Sequence, residues 1–184
     1  PASGPNTMAL GEPATEAAAA PAAAPIEVEA PNFSLSGALA EDAATGNTKN
    51  GVVLKYNEPE DAHAPDQKWL FFVYKNGAQI DKMHLHRQSH FLLGRDRSVA
   101  HIPLDHMSCS SQHAVLQYRT RAGSRSSAGR RVVLPYLLDL ESTNGTFLNG
   151  QRLDAARYYE VHPSDLIKFG SSTREYVMMS AGPM

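Results

Sequence analysis

The 184-residue chain has one cysteine, Cys109, which excludes an internal disulfide framework and fits a reducing compartment. No apolar run approaches the ~18 residues that a membrane-spanning helix needs, so no membrane partner is expected. Neither sign of charge dominates: the formal net charge is −2, and the whole-chain balance points to neither nucleic acid nor a lipid surface. Apolar residues make up 42% of the chain, much of it alanine. At roughly 100–200 residues per domain, the length suits one folded domain plus something else. The first residue is Pro1, so the chain reads as a fragment or a trimmed piece. Walker-type glycine loops, G-x-S-x-G elbows and paired catalytic carboxylates are all missing.

What is present changes character along the chain. Residues 1–31 are built mainly from Ala, Pro, Gly, Ser, Thr and Glu, with Pro13, Pro21 and Pro25 interrupting any helix. Such a segment lacks the large side chains that offset ordering entropy and is expected to be disordered. Residues 32–67 scatter Phe33, Leu35, Leu39, Val53 and Tyr56 through a polar setting. That pattern fits either a partner-docking segment or a linker lying against the next domain. From Lys68 the pattern is β. "WLFFVYKNGAQIDKMHLH" holds two strand-forming runs around Asn76-Gly77, the signature of a hairpin. Further short strands follow, and Pro135 in "VLPYLLDL" predicts a bent, bulged or edge strand. Many short strands with no amphipathic helix between them predict an all-β antiparallel β-sandwich over residues 68–180, then a short tail at 181–184. Trp69, Phe71, Phe91, Phe147 and Phe169 are expected in its core.

A sandwich gathers its loops at two ends, so distant residues can meet there. Three polar clusters are candidates: Gly94-Arg95 at a strand exit, Ser108–Ser111 ahead of His113, and "ESTNG" at Glu141–Gly145. Together they offer a guanidinium, several hydroxyls, a carboxamide and glycines that free backbone N–H groups. That set is rich in donors and poor in bases, which suits a multiply charged oxyanion such as a phosphate.

Gly94-Arg95, Ser110-x-x-His113 and the Ser142–Gly150 run S-T-N-G-T-x-x-N-G resemble the forkhead-associated domain, a β-sandwich that binds phosphothreonine peptides. The resemblance implies that Arg95 and Ser110 contact the phosphate with support from Ser111. It implies that Thr143 and Asn144 hold the peptide, and that Gly94, His113, Gly145 and Asn149 are architectural. Ser111 stands where related domains often carry Lys, Arg or Asn. Beyond the loops, the stretch from about Pro31 to Met179 resembles the Smad nuclear-interacting protein family and its fungal counterpart, the pre-mRNA-leakage proteins. That likeness implies a nuclear adaptor of the retention-and-splicing complex in the activating spliceosome. Its segment around Phe33 to Tyr56 would dock on an RNA-recognition-motif hub subunit, and no cofactor or metal is implied. The alternative is a purely structural scaffold whose phosphate pocket is idle.

Rival chemistries have thin support. Ser110, His113 and Asp139 could suggest a hydrolase triad, but no oxyanion hole or elbow accompanies them. His84, His86 and His90 could suggest zinc, but no second paired ligand motif exists. Arg119, Arg121, Arg125, Arg130 and Arg131 fall between two strands and read as a solvated loop, or as a place where RNA passes close by. No aromatic residues interleave there for base stacking.

Overall fold

The computed structural model describes residues 47–125, 129 and 131–183. Phe33, Leu35, Leu39, the Ala/Pro-rich stretch and Arg130 lie outside the described residues. Thirteen strands run in order: β1 (Thr48–Lys49), β2 (Val52–Val53), β3 (Gln67–Lys75), β4 (Ala78–His84), β5 (His90–Gly94), β6 (Ile102–Pro103), β7 (Ala114–Arg125), β8 (Arg131–Asp139), β9 (Thr146–Leu148), β10 (Gln151–Arg152), β11 (Tyr158–Glu160), β12 (Leu166–Phe169) and β13 (Arg174–Pro183). They form a six-stranded sheet, β10-β9-β12-β13-β3-β4, a five-stranded sheet, β11-β8-β7-β5-β6, and a small β1-β2 hairpin. The all-β sandwich is as expected. Every pairing between named strands is antiparallel except β5 with β6, where Leu93 faces Ile102.

Local chemistry explains the connections. Asn76 (φ 51°) and Gly77 (φ 78°) make the two-residue turn between β3 and β4, the left-handed pair that Asn-Gly adopts cheaply. Asn149 and Gly150 do the same between β9 and β10. Pro135 sits one strand in from the edge, opposite Tyr118. Its carbonyl accepts a hydrogen bond from Val161 N–H at 2.9 Å. A strand residue's nitrogen and carbonyl point the same way, so the missing donor faces the end of short β11 and costs the β7 ladder nothing.

Side chains of alternate strand residues fill the space between the sheets: Trp69, Phe71, Leu93, Leu116, Tyr118, Leu137, Phe169, Tyr176 and Met178 are all buried there. Phe169 and Phe71 pack edge-on against Tyr176, with ring centroids 5.2 and 5.8 Å away. Phe147 is a correction, because it is only half-buried and outside this core.

A second apolar cluster lies on the outer face of the five-stranded sheet, where Leu92, Val99, Val115, Leu138 and Leu140 meet Tyr56. Residues 47–63 cover it like a strap. Lys55 N–H donates to Gln112 Oε1 (2.8 Å), and Gln112 Nε2 donates to Val53 O (2.9 Å). Tyr56 is 7% exposed, and its hydroxyl donates to Gln117 Oε1. Asp61 takes a forked ion pair from Arg119, whose guanidinium also stacks 4.3 Å from the Tyr158 ring centroid. This overturns three expectations. Tyr56 faces the sandwich and cannot meet a partner, although Val53 remains 47% exposed. Arg119, Arg121 and Arg125 belong to β7 and Arg131 opens β8, not a loop; Arg119 is engaged, while Arg121 and Arg131 are exposed. Strand β13 also continues to Pro183, where a tail was expected.

Candidate functional site

Gly94 ends β5, and its lack of a side chain is a steric requirement. A Cβ there would collide with the backbone carbonyl of Ser111. The bare backbone lets Arg95 N–H donate to Ser110 O at 2.9 Å and Asp96 N–H to Ser111 O at 3.1 Å. The first two clusters are thus sewn together by main chain.

His113 holds the second cluster to the third. Its ring is completely buried. Nδ1 accepts from Ser110 N–H at 3.0 Å, so the proton sits on Nε2, which donates to Gly145 O at 3.3 Å. Burial pushes the imidazole pKa down, with Asp139 and the Gly145 carbonyl opposing the shift. Neither ring nitrogen faces the Ser110 hydroxyl, which instead accepts from Thr143 N–H at 3.2 Å. The triad geometry is therefore absent from these three residues.

The third cluster is shaped by a residue whose role the sequence reading missed. Asp139 is buried, and its carboxylate accepts from Ser142 N–H (2.9 Å), Ser142 Oγ (2.6 Å) and Thr146 Oγ1 (2.6 Å). This folds residues 139–146 into a tight turn, with Glu141 (φ 54°) and Gly145 (φ 81°) in the left-handed region. The spacing of an aspartate three residues before a serine was the available signal. Asn144 Nδ2 donates to Ser108 O at 2.8 Å, so its side chain serves as a staple between loops. Asn149 fixes the β9–β10 turn: Nδ2 donates to Asp165 Oδ1 (2.8 Å) and Oδ1 accepts from Leu166 N–H (2.9 Å).

A fourth loop, Gly170–Thr173 between β12 and β13, joins the group without any signal in the sequence. Gly170 N–H donates to Gly145 O and Ser171 N–H to Ser108 Oγ, both at 2.9 Å. The result is one rim on which Arg95, Ser111, Thr143 and Asn144 are exposed and Ser110 is half-buried. Among the described residues no carboxylate forms an ion pair with Arg95. An exposed guanidinium on a rim that also carries hydroxyls and turn amides can bind an oxyanion.

The family profile for the FHA domain matches residues 91–170, the stretch that contains the first three of these loops. The chain carries an FHA domain. Over 153 residues it is 52% identical to Smad nuclear-interacting protein 1 of Mus musculus, covering 82% of this chain and 39% of the relative. It is 46% identical over 154 residues to the FHA domain-containing protein DDL of Arabidopsis thaliana, covering 82% of this chain and 48% of that protein. The chain thus spans less than half the length of either relative. Among solved structures, the yeast Pml1 splicing factor, described with its integration into the RES complex, superposes with a TM-score of 0.60. That match has 26% identity over 70% of this chain and 99% of the yeast one.

Proposed function

We propose that this chain is a phosphothreonine-peptide adaptor, acting in the nucleus within a pre-mRNA splicing and retention assembly. The observation that carries the reading is the junction of the rim. Ser110 accepts from Thr143 N–H through its hydroxyl and from Arg95 N–H through its carbonyl, at 3.2 and 2.9 Å. The Arg95 guanidinium and the Ser110 and Thr143 hydroxyls, whose backbones meet at that junction, turn in this reading toward one phosphate. In this reading Arg95 and Ser110 bind phosphate oxygens, Ser111 lies beside them, and Thr143 and Asn144 line the peptide path. Gly94, His113, Gly145 and Asn149 keep the rim in shape.

The names of the mouse and yeast relatives support the nuclear and splicing setting. Docking to an RNA-recognition-motif hub falls to Phe33, Leu35 and Leu39, together with the exposed Val53 of the strap. Of the arginines between Arg119 and Arg131, Arg119 is committed to Asp61, whereas Arg121 and Arg131 are exposed.

A phosphate dianion offers several acceptors, and charge-assisted hydrogen bonds contribute ~1.5–3 kcal/mol each. Association and peptide ordering offset much of that sum, which leaves an expected Kd of about 1 μM. The test is titration of a phosphothreonine peptide library against wild type and Arg95→Ala. Loss of binding in the variant supports the reading. Equal binding by both refutes it and leaves the structural-scaffold alternative.

A further inference from the structure

Gln112 stands between Ser111 and His113, two residues of the rim loops, yet its own side chain is bound to the strap. The residue is 6% exposed. Its amide occupies both ends of the strap's Val53–Lys55 stretch: Oε1 accepts from Lys55 N–H at 2.8 Å, and Nε2 donates to Val53 O at 2.9 Å. On its other side the Gln112 backbone lies against the end of β5. A Cβ added to Gly94 would stand only 3.1 Å from Gln112 Cα. One side chain thus joins the strap to the place where the Arg95 and Ser110 loops are sewn together.

The strap grips the β5–β6 loop as well. Lys49 Nζ donates to Val99 O at 3.0 Å, and Asn50 Nδ2 donates to Ser98 O. Val99 N–H and Ala100 N–H in turn donate to Asp96 O, at 3.3 and 2.9 Å, so the hold on residues 98–99 passes to the residue beside Arg95. The strap itself is lightly anchored. Tyr56 is the only buried residue between positions 47 and 63, and polar bonds supply much of the rest of the attachment. A segment with so few buried apolar groups opens at lower free energy than the sheets beneath it.

We propose that Gln112 is a positioning residue for phosphate binding, tying the strap to the Ser110–Ser111 loop so that strap closure and phosphopeptide binding stabilise each other. This rests on the phosphothreonine reading above. Gln112 itself makes no contact with the phosphate. With the strap shut, the loops that carry Arg95 and Ser110 are fixed before the peptide arrives, which removes part of the ordering cost of binding. With the strap open, both loops lose that support and bind more weakly. The coupling is reciprocal: the factor that closure adds to affinity is the factor that peptide adds to closure.

The experiment is amide-resolved hydrogen exchange by NMR, with and without a phosphothreonine peptide that binds wild type. Calorimetric titrations and melting curves accompany it for wild type, Arg95→Ala, Gln112→Met and Asn50→Gly. Methionine keeps the length of Gln112 and removes both of its strap bonds. Glycine keeps the left-handed turn at Asn50 (φ 53°) and removes its bond to Ser98 O. Neither substitution changes charge, so attraction of the phosphate from a distance is unaltered. In wild type, saturating peptide is expected to slow exchange of the Lys55 amide about fivefold, and Gln112→Met to bind about fivefold more weakly. In that variant the Leu54 amide, still bonded to Asn47 O, exchanges at one rate with or without peptide. Asn50→Gly is expected to bind about twofold more weakly, because Lys49 still holds the same loop. A Gln112 that served stability alone would lower the melting temperature when replaced, but wild-type strap exchange would not respond to peptide. If wild-type Lys55 exchange ignores the peptide, or a folded Gln112→Met binds as wild type does, the proposal is overturned; loss of binding in Arg95→Ala then leaves the phosphothreonine reading standing. If Gln112→Met melts early, wild-type exchange and Asn50→Gly decide: no protection by peptide, or full affinity in Asn50→Gly, overturns the proposal. If no phosphothreonine peptide binds wild type, both fall together.

Discussion

Replacing His113 with leucine separates a packing role from a hydrogen-bonding one. The two side chains are close in size, and the site is fully buried against Phe169, whose ring centroid is 5.6 Å away. Leucine would fill the space but would leave the Ser110 N–H and the Gly145 carbonyl without the partners that now satisfy them at 3.0 and 3.3 Å. An orphaned buried donor or acceptor costs about 1–3 kcal/mol. The longer contact to Gly145 is the weaker one, and that carbonyl also accepts from Gly170 N–H at 2.9 Å. The Ser110 amide therefore dominates, and the expected loss is about 2–4 kcal/mol of a stability of roughly 5–15 kcal/mol. The loss should appear as a lower urea midpoint at unchanged m-value. Because the same ring positions Ser110, phosphopeptide affinity should fall as well, even at temperatures where the variant is folded. A stability change under about 1 kcal/mol, with wild-type affinity, would refute the claim that His113 holds two loops together through its nitrogens.

Other perturbations probe the remaining supports. Gly94→Ala should cost several kcal/mol, on the order of an overpacked core, because the new methyl meets backbone that cannot move aside; a melting temperature within a degree of wild type would contradict this. Asp139→Asn gives the hub carboxylate's three donors an amide that cannot accept from all of them, for about 2–3 kcal/mol of destabilisation by chemical denaturation. Acid should weaken the fold through His101 and His113. Burial lowers the pKa of His101 from 6.5 to about 4, with Lys49 and His90 adding to the shift, and burial also lowers that of His113. A depressed histidine pKa means the folded state binds fewer protons. Stability is thus complete above about pH 6.5 and falls as pH drops from there toward 4, by at most ~1.4 kcal/mol per pH unit for each group. Denaturation midpoints that stay level between pH 7.5 and 5 would remove that account.

Strand identity and turn chemistry were readable locally. Asn76-Gly77 and Asn149-Gly150 adopt left-handed backbone at both positions, which Asn-Gly is among the few dipeptides to supply cheaply. The grouping of Arg95, Ser110 and Thr143 was legible only through the combination of three spaced motifs. Each motif alone is a turn that any sandwich could contain. Asp139 was weighed only as a catalytic acid: its spacing from Ser142 was the one local signal, and its burial, which makes it a hub for Ser142 and Thr146, comes from the closed sandwich. Tyr56 was expected to face a partner, since an isolated aromatic in a polar stretch does not show what covers it. Its place depends on Gln117, more than sixty positions away in the chain.

Composition and periodicity alone determined the all-β class, the hairpin turns and the donor-rich, base-poor character of the rim. These depend on side-chain type and on backbone preferences a few residues long. Tertiary structure decided how residues 47–63 pack, which arginine is occupied, and that the Gly170–Thr173 loop joins the rim. Those outcomes turn on which surfaces meet when two sheets close on each other. Burial and long-range pairing are properties of the closed sandwich, and no short stretch of the chain carries them.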